Sequence, residues 1–152
     1  MPTAIHRFVE SARRGENPRV VGRVRSGWVV LGDPQVVRGY SLLLPDPVVP
    51  HLNSLGGEAR AEFLDDMAAI GDALLEVTGA LRINYEILGN LEPALHAHII
   101  PRFADEPAHL RTKPIWSHDW DAAPAFDERL HRDLMDAIRQ ELTRQRIIAQ
   151  NT

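Results

Sequence analysis

The chain has 152 residues, enough for one domain with a hydrophobic core, and its composition, 44% hydrophobic and 25% charged, is ordinary for a globular protein. A formal net charge of −4 argues against a general nucleic-acid-coating function, which depends on clustered Lys and Arg, so we expect no nucleic-acid polymer as a partner. The lack of cysteine excludes disulfides, thiolate metal sites and a cysteine nucleophile.

Membrane and targeting signals are absent from the sequence pattern. The N-terminus has no apolar run of the signal-peptide type, and no stretch approaches the roughly 18 apolar residues of a membrane span. We therefore expect a cytoplasmic protein without a membrane partner. No repeat, low-complexity tract or linker divides the sequence, which predicts a single domain over residues 1–152.

The first third of the chain predicts a loop and two strands. Residues 12–19 are polar and contain Gly and Pro, which indicates a loop. Residues 28–31 have high β-propensity and predict a strand, and residues 32–35 predict a turn after it. Residues 40–44 are apolar and are stopped by Pro45, which predicts a buried strand.

The rest of the chain predicts a helix, two strands, a long loop and a last helix. Apolar residues spaced by four and three after Ser54 form one helical face that ends before Gly79: Phe63, Met67, Ile70, Leu74 and Val77. Residues 81–87 alternate and predict a strand, as do residues 95–103. After a loop over about 104–126, a helix is predicted from the N-cap Asp127 to Ala149, with one side formed by Leu130, Leu134, Ile138 and Leu142.

This order of elements predicts an α+β domain in which one long helix separates two strand pairs of an antiparallel sheet, followed by a C-terminal helix. In the second pair, the period of two places His96, His98, Ile100 and Arg102 on one face of the strand. Leu95, Ala97 and Ile99 then face the other side, where a helix can cover them.

Two imidazoles and a guanidinium in one row suit a chain of phosphates. Arg binds phosphate oxygens bidentately, and we take Arg102 as a candidate phosphate ligand. A neutral imidazole can attack phosphorus and leave again, because its pKa lies near neutrality. A second imidazole can donate to the oxygens that gain charge, so His96 and His98 are the candidate catalytic residues.

Here the sequence resembles the histidine-triad (HIT) family, whose signature is His-x-His-x-His followed by two apolar residues and often Pro-Arg. The signature falls on residues 94–102, and the upstream pattern of strand, turn, Gly-Tyr-Ser-Leu-Leu-Leu-Pro strand and long helix also fits. Residues 84–90 resemble the strand and polar turn that precede the signature in the short bacterial, diadenosine tetraphosphate hydrolase-like members. The resemblance covers about residues 26–103 and leaves the C-terminal loop and helix, 104–152, outside it.

The resemblance implies a role for each matching position. The middle histidine, His96, would be the nucleophile that forms a nucleotidyl-histidine, and His98 would contact phosphate oxygens. Asp33 would bind the ribose hydroxyls, and Asn90 would help to hold phosphate. The family also implies a homodimer that binds a nucleotide substrate and needs no cofactor, with Mg²⁺ only as a counter-ion of polyphosphate substrates.

Two positions depart from the family pattern. Ala94 stands in place of the first triad histidine, and Tyr40, also a candidate nucleotide-binding residue, stands where many members have a further histidine. The backbone carbonyl at Ala94 can still orient the attacking imidazole by accepting from its other ring nitrogen. Because position 94 would share the face of His96 and His98, we expect the fold to tolerate Ala94→His.

Three alternatives remain open at this point. The protein could bind nucleotides without turning them over, or His96 and His98 could be metal ligands of a phosphoesterase with a third ligand from His51, His109 or Asp105. The two histidines could also be unrelated polar residues on a half-exposed strand. Trp116 and Trp120 are equally open: they could stack on a base, close a lid or be half-buried surface aromatics.

Overall fold

A computed structural model describes residues 2–148 of the chain. Within these residues the elements follow one another as α1 (Ala4–Arg13), β1 (Val20–Val24), β2 (Gly27–Leu31), β3 (Ser41–Pro45), α2 (Gly57–Thr78), β4 (Arg82–Glu86), β5 (Ala97–Arg102) and α3 (Glu128–Arg144). The strands form one antiparallel sheet, which confirms the predicted α+β class.

The strand order is β1-β2-β3-β5-β4, so β5 lies between β3 and the edge strand β4. His98 on β5 is opposite Leu42 of β3 and Glu86 of β4. The strand with the predicted signature therefore has neighbours on both sides, and their side chains surround the histidines.

One face of the sheet is covered by α2 and α3. Leu95, Ala97 and Ile99 point to this side and are almost fully buried, as the alternation predicted. They pack with the apolar stripe of α2 and with three residues of α3: Leu134, Ile138 and Leu142. Burial of this large apolar surface is the main stabilising contribution to the fold.

The opposite face is covered by two separate segments, and the predicted site lies between them. Helix α1 packs over β2 and β3 through Ile5 and Val9. The loop between β5 and α3 packs Ile115 and Trp120 against Tyr40 and Ile100. His96 and His98 lie on this face, largely buried, and line a pocket.

The predicted capping residues mark the end of α2 and the start of α3. Gly79 ends α2 in the left-handed conformation, with φ of 71°. Asp127 caps α3 by accepting from the backbone N–H groups of Arg129 and Leu130. Helix α3 ends at Arg144, earlier than predicted, and Ala149 lies outside the described residues. Leu130 is exposed, so it is not part of the buried stripe.

Helix α1 and strand β1 were not predicted. The helix has a sequence signal: Thr3 accepts from the N–H groups of Ile5 and His6 as an N-cap, and the apolar residues follow helical spacing. Strand β1 is short, and the hairpin that joins it to β2 contains two charged residues. These residues interrupt the alternation of apolar and polar side chains that would predict a strand. None of the helices in residues 2–148 is long and apolar enough to span a membrane.

Candidate active site

His96 and His98 lie side by side on the second face of the sheet. Their ring centroids are 5.0 Å apart at an interplanar angle of 71°. Both are largely buried, yet both line an open pocket of about 440 Å³. Tyr40 and Trp116 form the rest of its floor, and the segment 88–92 between β4 and β5 forms its wall.

The backbone fixes the proton on His96. Nδ1 of His96 lies 2.7 Å from the carbonyl oxygen of Ala94, which can only accept a hydrogen bond. Nδ1 therefore carries the hydrogen, and in the neutral imidazole Nε2 carries a lone pair. The carbonyl at Ala94 thus makes the contact expected from the sequence.

A tyrosine fixes the proton on His98. The hydroxyl of Tyr40 lies 2.7 Å from Nδ1 of His98, and the two rings are nearly parallel, with an interplanar angle of 14°. We assign the Tyr40 hydroxyl as the donor to Nδ1, because it has no other acceptor in residues 2–148, and with this assignment the hydrogen of neutral His98 is on Nε2. The two imidazoles then have opposite tautomers.

Both partners of this hydrogen bond are electrically neutral. Burial, together with the nearby His96, lowers the pKa of His98 to about 4. Burial likewise raises the pKa of Tyr40 well above its ordinary value, so the phenol keeps its hydrogen. Near physiological pH, His98 is therefore a neutral imidazole whose ring lies 5.0 Å from that of His96.

Two tryptophans of the loop between β5 and α3 pack over this pair. Trp116 meets His98 at a right angle with 5.3 Å between ring centroids, and Trp120 meets Tyr40 in the same way at 5.7 Å. The two indoles stack on each other at 5.0 Å. Gly32 allows Tyr40 to lie there, because a Cβ at Gly32 would come within 2.2 Å of the phenol ring.

The structure brings some of the predicted site residues together and separates others. Tyr40 and Asn90 line the same pocket as His96 and His98. Asp33 does not line it: this exposed side chain follows β2 and accepts from the backbone N–H of Phe126 at 2.9 Å. The expected ribose ligand is therefore outside this pocket.

Arg102 also lies elsewhere, and the expectation that it binds phosphate needs correction. Its side chain is buried, and all five guanidinium N–H groups have acceptors within the protein. They donate to both oxygens of Glu106, to Asn84 Oδ1 and to the carbonyls of Lys113 and Leu110. No donor is left for a phosphate, so Arg102 anchors the loop that follows β5.

Four residues of the pocket wall were not predicted: Leu88, Gly89, Leu91 and Glu92. Leu88 and Leu91 are exposed and apolar, and Glu92 accepts from the N–H of Ala4 at the start of α1. The sequence feature that could have indicated these residues is their neighbour Asn90, in the turn before the signature. Trp116, whose role the sequence left open, lies directly against His98.

Solved structures similar to this chain are histidine triad proteins. One from Sinorhizobium meliloti 1021 has a TM-score of 0.68 at 24% identity, covering 81% of this chain and 88% of its own. One from Bradyrhizobium japonicum has a TM-score of 0.66 at 25% identity, covering 80% and 88%. A hypothetical histidine triad nucleotide-binding protein from Sulfolobus tokodaii strain 7 has a TM-score of 0.72 at 16% identity, covering 92% and 93%.

The chain has the histidine-triad fold. The resemblance inferred from residues 94–102 is thereby confirmed at the level of the fold. No protein-family model matches the sequence, and no curated protein matches it significantly.

Within the histidine-triad fold, Ala94 stands in place of the first histidine and is covered by helix α1. Ala94 is 0% exposed and packs with Ile5 and Val9 of α1 and with Val30 and Leu44 of the sheet. An imidazole would not fit this apolar cluster without displacing α1. The burial of Ala94 instead predicts that Ala94→His destabilises the fold.

The alternative of a metal site finds no third ligand in the described part of the chain. Within residues 2–148, no group of three or more His, Asp or Glu side chains converges in a way that could hold a metal ion. His51, His109 and Asp105 are all exposed and do not line the pocket. The site offers two imidazoles whose Nδ1 atoms are already engaged.

Proposed function

We propose that the chain is a nucleotide hydrolase or nucleotidyl transferase that acts on a phosphate-linked nucleotide through a covalent intermediate on His96. The opposite tautomers of His96 and His98 carry this proposal. Phosphoryl chemistry on histidine needs a nucleophilic nitrogen and a donor for the oxygens that gain charge, and the two Nε2 atoms supply one of each.

The proposed reaction has two steps. Nε2 of His96 attacks the α-phosphorus, and the electron pair of the broken bond goes to the leaving group, which takes up a proton. Water then attacks the phosphorus and loses a proton, the bond between phosphorus and Nε2 breaks, and the nucleoside monophosphate leaves. If another acceptor attacks instead, it carries the nucleotidyl group away, and His96 is restored in either case. The Nε2–H of His98 donates to the non-bridging oxygens in both steps.

The substrate class rests on the fold and on the pocket. The Sulfolobus protein with this fold is described as nucleotide-binding, and we extend that property to this chain. Nucleoside phosphoramidates and dinucleoside polyphosphates both have a leaving group on the α-phosphorus. The scheme uses no cofactor, and Mg²⁺ enters only as a counter-ion of a polyphosphate.

The test is release of mononucleotide from an adenosine 5′-phosphoramidate and from diadenosine tetraphosphate. Mass spectrometry of acid-quenched protein should show one nucleotidyl group on the wild type. His96→Ala should lose several orders of magnitude in turnover and the adduct. His51→Ala is the matched control, because this histidine is exposed and does not line the pocket. Turnover of His96→Ala within about tenfold of wild type would remove His96 from the mechanism.

A second candidate is a nucleotide-binding protein without turnover. The buried Ala94 in place of the first triad histidine favours it, because the pocket lacks one polar group. Calorimetric titration with adenosine monophosphate separates the two functions: binding without product release from any substrate supports the second.

We also propose that the chain forms a homodimer. Leu81 at the start of the edge strand β4 and Leu91 in the following loop are 68% and 93% exposed, and edge strands with apolar neighbours are typical pairing surfaces. Light scattering after size exclusion tests this: Leu81→Asp should shift the protein towards monomer. Leu130→Asp on α3, also at an exposed leucine, should not.

A further inference from the structure

Trp116 is an exposed aromatic side chain whose position is fixed by three contacts. Its Nε1–H donates to the carboxylate of Glu86, Trp120 stacks on one face at 5.0 Å, and His98 meets it at a right angle. Even so, 44% of Trp116 remains exposed, and it lines the pocket that contains both histidines. A fixed, exposed indole beside the proposed nucleophile is a preformed surface on which a flat ring can stack.

The loop that carries Trp116 is anchored by buried charges. Glu106 accepts from the Arg102 guanidinium, from the N–H of Phe103 at 2.7 Å and from Nε2 of His118 at 2.9 Å. Although burial alone would raise it, the hydrogen bonds from Arg102 and Phe103 hold the pKa of Glu106 below its ordinary value. This network keeps the loop against the sheet, so the indole is held in place before any ligand arrives.

The remaining pocket wall is nearly uncharged. Leu88, Leu91 and Tyr40 contribute apolar surface, Asn90 is neutral, and Glu92 is the one charged side chain among the described residues that line it. No Lys or Arg of the described chain lines this pocket. A chain of several phosphates would leave its charges without partners there, whereas one phosphate with an apolar group fits the lining.

We propose that Trp116 is a specificity-determining residue that stacks on a flat aromatic ring of the substrate, and that the preferred substrates carry a single phosphate. This proposal rests on the proposed nucleotidyl chemistry and narrows its substrate class. The ring can be the nucleobase or the leaving group on phosphorus. Either ring would lie against Trp116 while the phosphorus is next to Nε2 of His96.

Four phosphoramidates separate the two sources of the ring. Adenosine 5′-phosphate and ribose 5-phosphate are each joined to benzylamine or to cyclohexylmethylamine, which have similar size but differ in aromaticity. We measure kcat/KM for each compound with wild type, Trp116→Phe and Trp116→Leu. One comparison sets the adenosine compounds against the ribose compounds with the same amine, and the other sets the benzylamine compounds against the cyclohexylmethylamine compounds with the same phosphate. In one of the two, the wild type should prefer the compound with the aromatic ring by about tenfold in kcat/KM, and that comparison identifies the stacked ring.

The variants show whether Trp116 causes this preference. In Trp116→Leu, kcat/KM for the compound with the aromatic ring should come within about twofold of kcat/KM for the compound without it. Trp116→Phe keeps a ring and should retain most of the preference. An unchanged ratio in Trp116→Leu overturns the proposal, and so does a wild type without any aromatic preference. Because each result is a ratio within one variant, a general loss of activity or of folded protein does not affect it.

Diadenosine tetraphosphate tests the single-phosphate part. It carries the same base as the adenosine phosphoramidates, and its wild-type kcat/KM should be at least tenfold lower than that of the best of them. A preference for the tetraphosphate overturns this part. If the wild type turns over none of the compounds, the proposed nucleotidyl chemistry fails instead. Calorimetric Kd values for the same compounds and variants then test the stacking by the same ratios.

Discussion

The hydroxyl of Tyr40 donates to Nδ1 of His98 over 2.7 Å, and both side chains are buried. With the phenol as donor, the hydrogen of His98 is on Nε2, and the His98 side chain lines the pocket next to His96. The histidine-triad pattern commonly has a histidine where Tyr40 stands. As a donor, the phenol needs an imidazole nitrogen without a hydrogen, so this assignment gives His98 the tautomer with its hydrogen on Nε2.

Tyr40→Phe should therefore slow the reaction without unfolding the protein. The loss of one buried hydrogen bond that sets the His98 tautomer should lower kcat about tenfold, with a smaller change in KM. Steady-state kinetics on the phosphoramidate measures both. Tyr85→Phe changes the chain's second tyrosine, which lies on the edge strand, and should match the wild type. Equal kcat for Tyr40→Phe and wild type would mean that the tautomer does not matter.

The low pKa of His98 predicts a specific loss of stability in acid. In the unfolded chain this histidine titrates near 6.5, whereas in the folded protein its pKa is about 4. A depressed folded pKa means that protonation favours the unfolded chain. The contribution is thus complete above about pH 6.5 and is lost as the pH falls from there to about 4. The loss should be about 2 to 3 kcal/mol.

Urea unfolding at several pH values measures this contribution. The difference in unfolding free energy between wild type and His98→Asn should shrink in acid by that amount, since other titrating groups cancel in the comparison. A difference that stays constant from pH 7 to pH 4 would show that His98 titrates normally in the folded protein.

Arg102 should affect stability rather than substrate binding. Arg102→Gln leaves the buried Glu106 without its main partner, which should cost about 3 to 5 kcal/mol of unfolding free energy. Arg132→Gln is the matched control: Arg132 pairs with Glu128 at the same i,i+4 spacing, but both side chains are exposed, so the change should stay within about 0.5 kcal/mol. A variant of Arg102 that is fully stable but has a raised KM would restore its role as a phosphate ligand.

Activity should not depend on a bound metal ion. His96 and His98 have no third ligand within residues 2–148, and catalytic zinc needs three protein ligands in most sites. Dialysis against a chelator, followed by assay on a phosphoramidate that needs no Mg²⁺, should leave kcat unchanged. Loss of activity that added zinc restores would favour the metal alternative.

The sequence predicts the parts of this fold that depend on short-range patterns. The stripe on α2, the cap at Asp127 and the alternation around His98 were all readable, because each lies within one element. The geometry of the site, by contrast, depends on contacts between segments that are far apart in the sequence. Tyr40 meets His98 across 58 positions, and the donors of Arg102 are consumed by a loop whose path has no sequence pattern.

The environment of Ala94 is a further long-range effect. The period of two correctly places this residue on the face of the histidines, but α1 arrives from the other end of the chain and covers it. Ile5 and Val9 therefore fill the space beside Ala94 and form a small apolar core with it. This relationship explains in physical terms why a small side chain fits at position 94.

Ala94→His should for this reason destabilise the protein. The imidazole must either displace α1 or be buried among apolar groups, which together should cost about 2 to 4 kcal/mol of unfolding free energy. Ala61→His, at an exposed position of α2, measures the ordinary cost of this substitution and should stay within about 0.5 kcal/mol. Urea unfolding of both variants gives the comparison. If Ala94→His were as stable as Ala61→His and faster on phosphoramidates, α1 would have to move aside, and position 94 would act as a third member of the site.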